Sequence, residues 1–304
     1  MNVRKCDICP NLCGVDRRYQ FGVCGVGEEI RIARAELHYW EEPLISGEKG
    51  SGTIFFSGCN LKCVFCQNYE ISSLRKGKVV TVDELIDEMK KLEDKGASNI
   101  NFVTPTHYAF AVKEALSKYK PKIPVVYNTS SYERVEVLKE LEGLIDVYLP
   151  DFKYFSNVNA FRYSGKKDYA EVALSAIKEM VRQTGETVIE DDLIKKGVII
   201  RHLVLPNCVE DSVTALKTLF DLFGNRVWYS VMSQYFPSGK AADYPEINRE
   251  LKSIEYKAVI AKAEKIGIEN CFIQDMTSAQ EAYVPEFFGE YPSEVEYERK
   301  RKKI

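Results

Sequence analysis

From residue 52 onward, short apolar runs alternate with longer stretches in which apolar residues recur every three or four positions. Runs of the first kind read as strands and stretches of the second kind as amphipathic helices. The pattern predicts strands over 53–57, 99–104, 124–129, 145–149, 197–205, 226–235 and 270–274. It predicts helices over 82–95, 108–118, 133–141, 169–183, 211–223 and 249–266. Thr81 or Asp83 is placed to cap the first helix, and Pro105 stops the second strand. Strict alternation of strand and helix argues for parallel strands joined by crossover helices. The expected fold is therefore α/β, a partial or nearly closed (β/α) barrel with its working site at the C-terminal ends of the strands.

The flanks read differently. Residues 1–50 are rich in Cys, Gly and Arg and show little periodicity, which suggests an extension folded around a metal site. Residues 51–275 form the expected barrel. Residues 276–304 are aromatic and punctuated by proline, and read as a tail packing on the barrel. No internal repeat is evident.

The chain has 304 residues and a net charge of −3, a balance that points to neither nucleic acid nor an anionic membrane as partner. The basic run over 298–303 reads as a solvated terminus. No apolar stretch is long enough to span a bilayer, and the first residues lack a signal-peptide core, so a cytoplasmic location is expected. Nine cysteines are present, seven of them before residue 67. In a reducing compartment, clustered cysteines are more often metal ligands than disulfides.

Cys59, Cys63 and Cys66 lie in GCNLKCVFCQN, directly after the first predicted strand of the barrel. Iron–sulfur clusters are held by thiolates. Three thiolates on one short loop ligate three irons of a 4Fe–4S cube and leave the fourth iron open, which suits chemistry rather than electron transfer alone. The bland alternatives are a zinc loop or three incidental cysteines.

The triplet and its surroundings resemble a known family. The segments ARAELHYWEEPLISG, GSGTIFFSGCNLKCVFCQNYEIS, NINFVTPTHYA, VVYNTSSYE, DVYLPDFKY and IIRHLVLPN are similar to radical S-adenosylmethionine (SAM) proteins related to the activating enzyme of pyruvate formate-lyase. The resemblance runs from Cys6 to about Gln274. It implies a barrel of the radical SAM type, a 4Fe–4S cluster at Cys59, Cys63 and Cys66, and SAM chelated to the open iron. One electron would split SAM into methionine and a 5′-deoxyadenosyl radical. Phe65 occupies the position that stacks near the adenine in the superfamily.

The same resemblance assigns SAM contacts to later strands. Asp151 and Lys153 match the Asp-x-Lys segment that ends strand four, and their spacing also puts them on one face of an extended strand. A structural salt bridge is the plain reading of that pair. Arg201 matches an arginine near the SAM carboxylate, and its fork suits bidentate recognition. Arg201 and His202 must face opposite ways. Arg201 is expected inside the barrel, because a permanent charge under apolar helices is costly. His202 is then a hydrogen-bonded packing residue.

Asn128 and Ser130 share a face at the end of strand three, where relatives contact SAM. Ser131 stands where relatives usually have glycine. The larger departure is on strand two: Thr104-Pro105-Thr106-His107 replaces the Gly-Gly-Glu that commonly binds the SAM amine. Backbone carbonyls or threonine hydroxyls must serve instead. His107 either faces the substrate or is a satisfied structural residue.

Cys6, Cys9, Cys13 and Cys24 form a second group, in CDICPNLCGVDRRYQFGVCGVG. Zinc would tie together a segment with little core of its own. A second iron–sulfur cluster would relay electrons or anchor substrate. The cluster is preferred, since the protein already receives such cofactors. Over 31–47, His38, Trp40, Glu41 and Glu42 line either a substrate approach or a packed connector. Cys208 and Cys271 read as buried structural residues, Cys208 on the active-site side.

The expected activity is hydrogen abstraction from an unidentified substrate, by analogy a residue of a protein as in glycyl-radical activation. Reduced ferredoxin or flavodoxin is the expected electron donor. The alternatives are a radical SAM enzyme acting on a small molecule, and a non-catalytic iron–sulfur or zinc redox protein.

Overall fold

The computed structural model describes residues 5–276 and Phe287. In chain order the elements are β1 (Ile30–His38), α1 (Pro43–Ser46), β2 (Ser51–Phe56), α2 (Tyr69–Ser72), β3 (Lys78–Val80), α3 (Val82–Asp94), β4 (Ile100–Val103), α4 (Ala109–Lys118), β5 (Val125–Thr129) and α5 (Val135–Lys139). They continue with β6 (Val147–Pro150), α6 (Asn157–Ser164), α7 (Tyr169–Thr184), β7 (Val188–Glu190), β8 (Leu193–Leu203), α8 (Val209–Phe223), β9 (Trp228–Met232), α9 (Ser253–Ile266) and β10 (Cys271–Ile273).

The strands form one sheet in the order β10-β9-β8-β6-β5-β4-β2-β1-β3, with β7 paired to β8 off this path. Pairings from β2 through β10 are parallel, while β1 runs antiparallel along β2 and β3 along β1. The sheet does not close, because β10 and β3 stand at its two ends. The architecture is thus the partial barrel that the strand–helix alternation predicts.

Two departures from the expected elements have identifiable causes. Strand β1 alternates buried and half-buried residues along its whole length, but a bulge between Ile32 and Arg34 splits its buried set: Ile30 and Ile32 join the outer core, and Arg34, Glu36 and His38 face inward. Polar residues at three of the five buried positions erase the apolar alternation. They are tolerated because Arg34 Nε and Glu36 Oε2 pair at 2.7 Å. The β7–β8 hairpin turns at Asp191 and Asp192, both with positive φ, in a two-residue turn that lacks the usual glycine.

The outer face of the sheet is apolar. Ile54, Phe56, Phe102, Tyr127, Tyr148, Ile200 and Tyr229 pack against the helices in one continuous core. Helix α3 shows how the helices dock. Thr81 caps it through a reciprocal box with Glu84, and Leu85, Ile86, Met89 and Leu92 form the buried stripe. Burying each such side chain stabilises the fold by about 1.5–3 kcal/mol.

The inner face changes character along the strands. At its lower, N-terminal end Val126, Val147, Leu149 and Ile199 pack around Leu44 and Ile45 of α1. That short helix therefore plugs the barrel from below. Two residues further along the same strands, with side chains on the same face, come Asn128, Asp151 and Arg201. The inner face thus turns polar where the cavity opens. The tail expected over 276–304 lies outside the described residues apart from Met276 and Phe287.

Candidate active site

Above the plug lies a cavity of about 290 Å³, whose walls include Phe55, Val103, Asn128, Asp151, Arg201, Ser230 and Phe272. Cys59, Cys63, Phe65 and Cys66 line its upper side, and His38, Trp40, Glu41, Glu42 and Pro43 line it as well.

The cysteine loop leaves β2 through Ser57 and Gly58. Gly58 has φ +87, and a side chain there would strike Val26 and the Cys24 carbonyl. Lys62 takes φ 58, which reverses the chain between Cys59 and Cys63. Each sulfur receives a hydrogen bond. Leu61 N–H donates to Cys59 Sγ at 3.4 Å, Ser164 Oγ–H to Cys63 Sγ at 3.2 Å, and Ser72 Oγ–H to Cys66 Sγ at 3.2 Å. Burial pushes the Cys59 thiol up, and the Cys66 thiol up to about 12. Such thiols stay neutral alone and ionise on binding a cation.

The donor set fits a cube with one open iron. Three thiols share one cavity wall, hydrogen bonds to sulfur tune such a cluster, and no fourth cysteine lines the cavity. Among the described residues no three His, Cys, Asp or Glu side chains converge closely enough to hold a single metal ion.

A charged network also borders the cavity, with Lys153 near enough to the thiols to interact with Cys63. Arg201 Nε donates to Asp151 Oδ1 at 2.7 Å, Nη1 to Glu41 Oε2 at 2.9 Å, and Nη2 to Asn128 Oδ1 at 2.7 Å. Three of its five N–H donors are therefore used within the protein, and two remain for a ligand. Lys153 Nζ donates to Asp151 Oδ2 at 2.7 Å. Burial acts to raise the Asp151 carboxyl, but Arg201 and Lys153 outweigh it and hold it below its ordinary value. Burial acts to lower the Lys153 ammonium, but Asp151 and then Cys63 hold it above. Arg201 faces the cavity while His202 is buried on the other face with Nδ1 2.6 Å from Phe152 O, as the strand alternation requires.

Asn128 and Ser130 both line the cavity. The buried Ser130 Oγ has no hydrogen-bond partner. Ser131 adopts φ 63, the left-handed turn that glycine would take, and its Oγ–H holds Asp151 O at 2.7 Å. Thr104 also lines the cavity at φ 58, a strained conformation for a β-branched residue. His107 is not at the mouth: it is buried, with Nε2 2.9 Å from Ser57 O and its pKa lowered by burial to about 3. Phe65 meets Tyr154, Tyr163 and Tyr235 edge-on while reaching the cavity wall. Cys208 is buried beside Asn159 and does not line the cavity.

The residues that sequence reasoning underweighted are His38, Trp40, Glu41 and Glu42, all four of which line the cavity. Glu41 Oε1 also accepts from Asn128 Nδ2 at 3.1 Å and Asn101 Nδ2 at 3.4 Å. The available signal was the density of charge in EE just before Pro43, a helix start.

The N-terminal cysteines gather near Gly22. Cys6 and Cys13 are within hydrogen-bonding reach of each other. A side chain at Gly22 would lie 3.3 Å from both Cys13 Sγ and Cys24 Sγ. All nine cysteines are free thiols. The segment docks on the cysteine loop, with Cys59 N–H donating to Cys24 O at 3.2 Å and Asn11 Nδ2 to Asn60 O at 2.8 Å.

Residues 53–220 match the family described as the Radical SAM superfamily. An uncharacterised protein of Methanocaldococcus jannaschii is 34% identical over 278 residues, covering 88% of this chain and 76% of the relative. Among solved structures, methylornithine synthase superposes with a TM-score of 0.48 at 11% identity, covering 71% of this chain and 60% of that one. SuiB of Streptococcus suis, bound to the precursor peptide SuiA, gives 0.48 at 13% identity, covering 73% and 48%. The chain thus spans about half to three-fifths of these two structures. No helix among the described residues is long and apolar enough to cross a membrane.

Proposed function

The chain belongs to the radical SAM superfamily, and from that membership we propose that Cys59, Cys63 and Cys66 hold a 4Fe–4S cluster and that the protein cleaves SAM reductively. When bound, the cluster supplies one electron that breaks a carbon–sulfur bond of SAM, giving methionine and a 5′-deoxyadenosyl radical that takes a hydrogen atom from substrate. The observation that carries the reading is the meeting of three thiols and the Asp151–Lys153–Arg201 network on one cavity. The two N–H donors left on Arg201 suit the SAM carboxylate. Ser130 Oγ and the Thr104 backbone serve the polar groups of SAM, and Phe65 offers a ring edge to the adenine. Reduced ferredoxin or flavodoxin is the electron donor.

By analogy the hydrogen donor is a protein residue, as in activating enzymes. A specific observation favours a small molecule as a second reading. The cavity is about 290 Å³, its lower end is plugged by α1, and charged side chains line it. That suits a compact polar group better than a folded loop.

Cys6, Cys9, Cys13 and Cys24 hold a second iron–sulfur cluster. Its support is the gathering of thiols, with Cys13 and Cys24 on either side of Gly22 and Cys6 beside Cys13. The direct docking of Cys24 on the Cys59 backbone suits electron relay.

The test is anaerobic reconstitution, counting iron and sulfide, followed by assay of 5′-deoxyadenosine from SAM with a chemical reductant. The expected content is about eight irons per chain with two cubes, falling to about four in Cys13→Ser. No 5′-deoxyadenosine from protein with an intact cluster would sink the catalytic reading.

A further inference from the structure

Among the described residues, the cavity is lined by three carboxylates, Asp151, Glu41 and Glu42, and by two cations, Lys153 and Arg201. Asp151 sits between both cations. Glu41 is satisfied by Arg201, Asn128 and Asn101. Glu42 is the carboxylate left over. Its side chain is only 6% exposed, its Oε2 lies 3.8 Å from Arg201 Nη1, and that oxygen has no hydrogen-bond partner.

Glu42 has its own backbone N–H and the Glu41 carboxyl within hydrogen-bonding reach, which leaves Oε2 as the costly unmet oxygen. Glu42 has no packing reason to be charged, since it precedes the plug helix α1, whose Leu44 and Ile45 do the packing. A second residue with an unpartnered buried nitrogen lines the same cavity. His38 is 8% exposed and its Nδ1 is buried with no partner. Burial, followed by the charges of Arg34 and Arg201, lowers its pKa to about 4, so it is a neutral imidazole that can accept a hydrogen bond. Two unmet acceptors, one of them anionic, complement a cation with several N–H donors.

We infer that Glu42 and His38 form a subsite for a positively charged nitrogen group of the substrate, an ammonium above all. The inference rests on the SAM-cleaving reading and names the substrate class for that same cavity. An ammonium brings three donors and a positive charge to set against Glu42. Its methylene stem would lie along Phe55 and Trp40, which line the same cavity. Independently of any ligand, burial, opposed by Arg201 and reinforced by Glu41, raises Glu42 to about 7, as expected for an acid that waits for either a proton or a cation.

The ammonium can belong to a free amine or to a lysine side chain of a peptide, and the experiment separates these sources. Reconstituted, SAM-loaded protein is titrated calorimetrically with n-butylammonium, with its neutral counterpart n-butanol, and with acetyl-Gly-Lys-Gly-amide. We expect at least one ammonium probe to bind at least tenfold more tightly than n-butanol. Binding of the free amine alone assigns a small molecule, and binding of the peptide assigns a side chain. Glu42→Gln should weaken the ammonium probe at least tenfold and leave n-butanol unchanged. The wild-type comparison stands even if the variant folds poorly.

The inference is overturned if no ammonium probe binds saturably, if n-butanol binds as well, if folded Glu42→Gln keeps full affinity, or if the ammonium competes with SAM. Formation of 5′-deoxyadenosine by the wild type is followed alongside. Its absence overturns the SAM-cleaving reading itself, whereas cleavage without ammonium preference overturns only the subsite.

Discussion

Arg201 Nε reaches Asp151 Oδ1 at 2.7 Å between the ends of β8 and β6, at the level where the inner face of the sheet turns from apolar to polar. The pair ties together two strands whose ladder otherwise consists of Val147–Gly197 and Tyr148–Val198. Removing the guanidinium would leave Asp151 with Lys153 alone and Glu41 buried with amide donors but no cation beside it. Arg201→Met is therefore expected to cost about 3–5 kcal/mol in denaturant unfolding. Arg201→Lys should fall between, because one ammonium cannot span Asp151, Glu41 and Asn128 as the fork does. SAM affinity, measured by equilibrium dialysis, should drop at least tenfold in both. A methionine variant as stable as the wild type would show that the network is not structural.

The cysteines separate by environment. Cys63→Ala should lose the iron of the upper cavity wall and all 5′-deoxyadenosine formation, since two thiolates do not secure a cube. Cys208→Ala removes a thiol buried beside Asn159, away from the cavity. It should retain full iron content and SAM cleavage. Iron loss in Cys208→Ala would force a revised ligand set.

Thr104 holds φ 58 at the end of β4 despite its branched Cβ. Its backbone N–H still bonds Asn128 O at 2.9 Å, so the strain sits in the torsion rather than in a lost contact. Thr104→Gly should relieve about 1 kcal/mol and raise Tm by about 2–4 °C. A fall in Tm would mean that the side chain contributes more packing than the torsion costs. If the Thr104 hydroxyl also contacts SAM, the same variant weakens SAM binding while it stabilises the fold, a split that calorimetry reads directly.

Much of this was legible in the sequence where periodicity reported burial. Strands β2, β4, β5, β6 and β9 and helices α3, α4, α7 and α8 follow their apolar pattern to within a few residues. Strand β1 was not legible, because its inward residues Arg34, Glu36 and His38 are polar and the Arg34–Glu36 pair neutralises them only in the fold. Helix α6 was missed because NVNAFRYS carries little apolar stripe and is held instead by the Ser156 cap. The burial of Glu41 could not be read locally either. Its partner Arg201 lies 160 residues away, so the sequence left the acidic pair open between a substrate approach and a packed connector. His107 failed for the converse reason: position near a strand end suggested the mouth, but its ring turns back to the Ser57 carbonyl.

Glu42 gives a pH test with a definite sign. Its folded pKa is raised from 4.5 to about 7, by burial first, with Arg201 opposing and Glu41 adding. The native state therefore holds this proton longer than the unfolded chain. The contribution of Glu42 to stability is complete below its unfolded pKa and is lost as pH rises toward and through about 7. Asp151, lowered by Arg201 and Lys153 against its burial, behaves oppositely and loses its contribution as pH falls. In ligand-free protein, Glu42→Gln removes the first effect and leaves the second. The stability difference between variant and wild type should be small near pH 4.5, grow in favour of the variant through pH 7, and level off above it. The gain above pH 8 is expected to be on the order of 2 kcal/mol, read from anaerobic denaturant melts. An ammonium ligand should erase that difference by stabilising only the wild type. A difference that is flat from pH 4.5 to above 7 would show that Glu42 ionises normally, with a partner of its own.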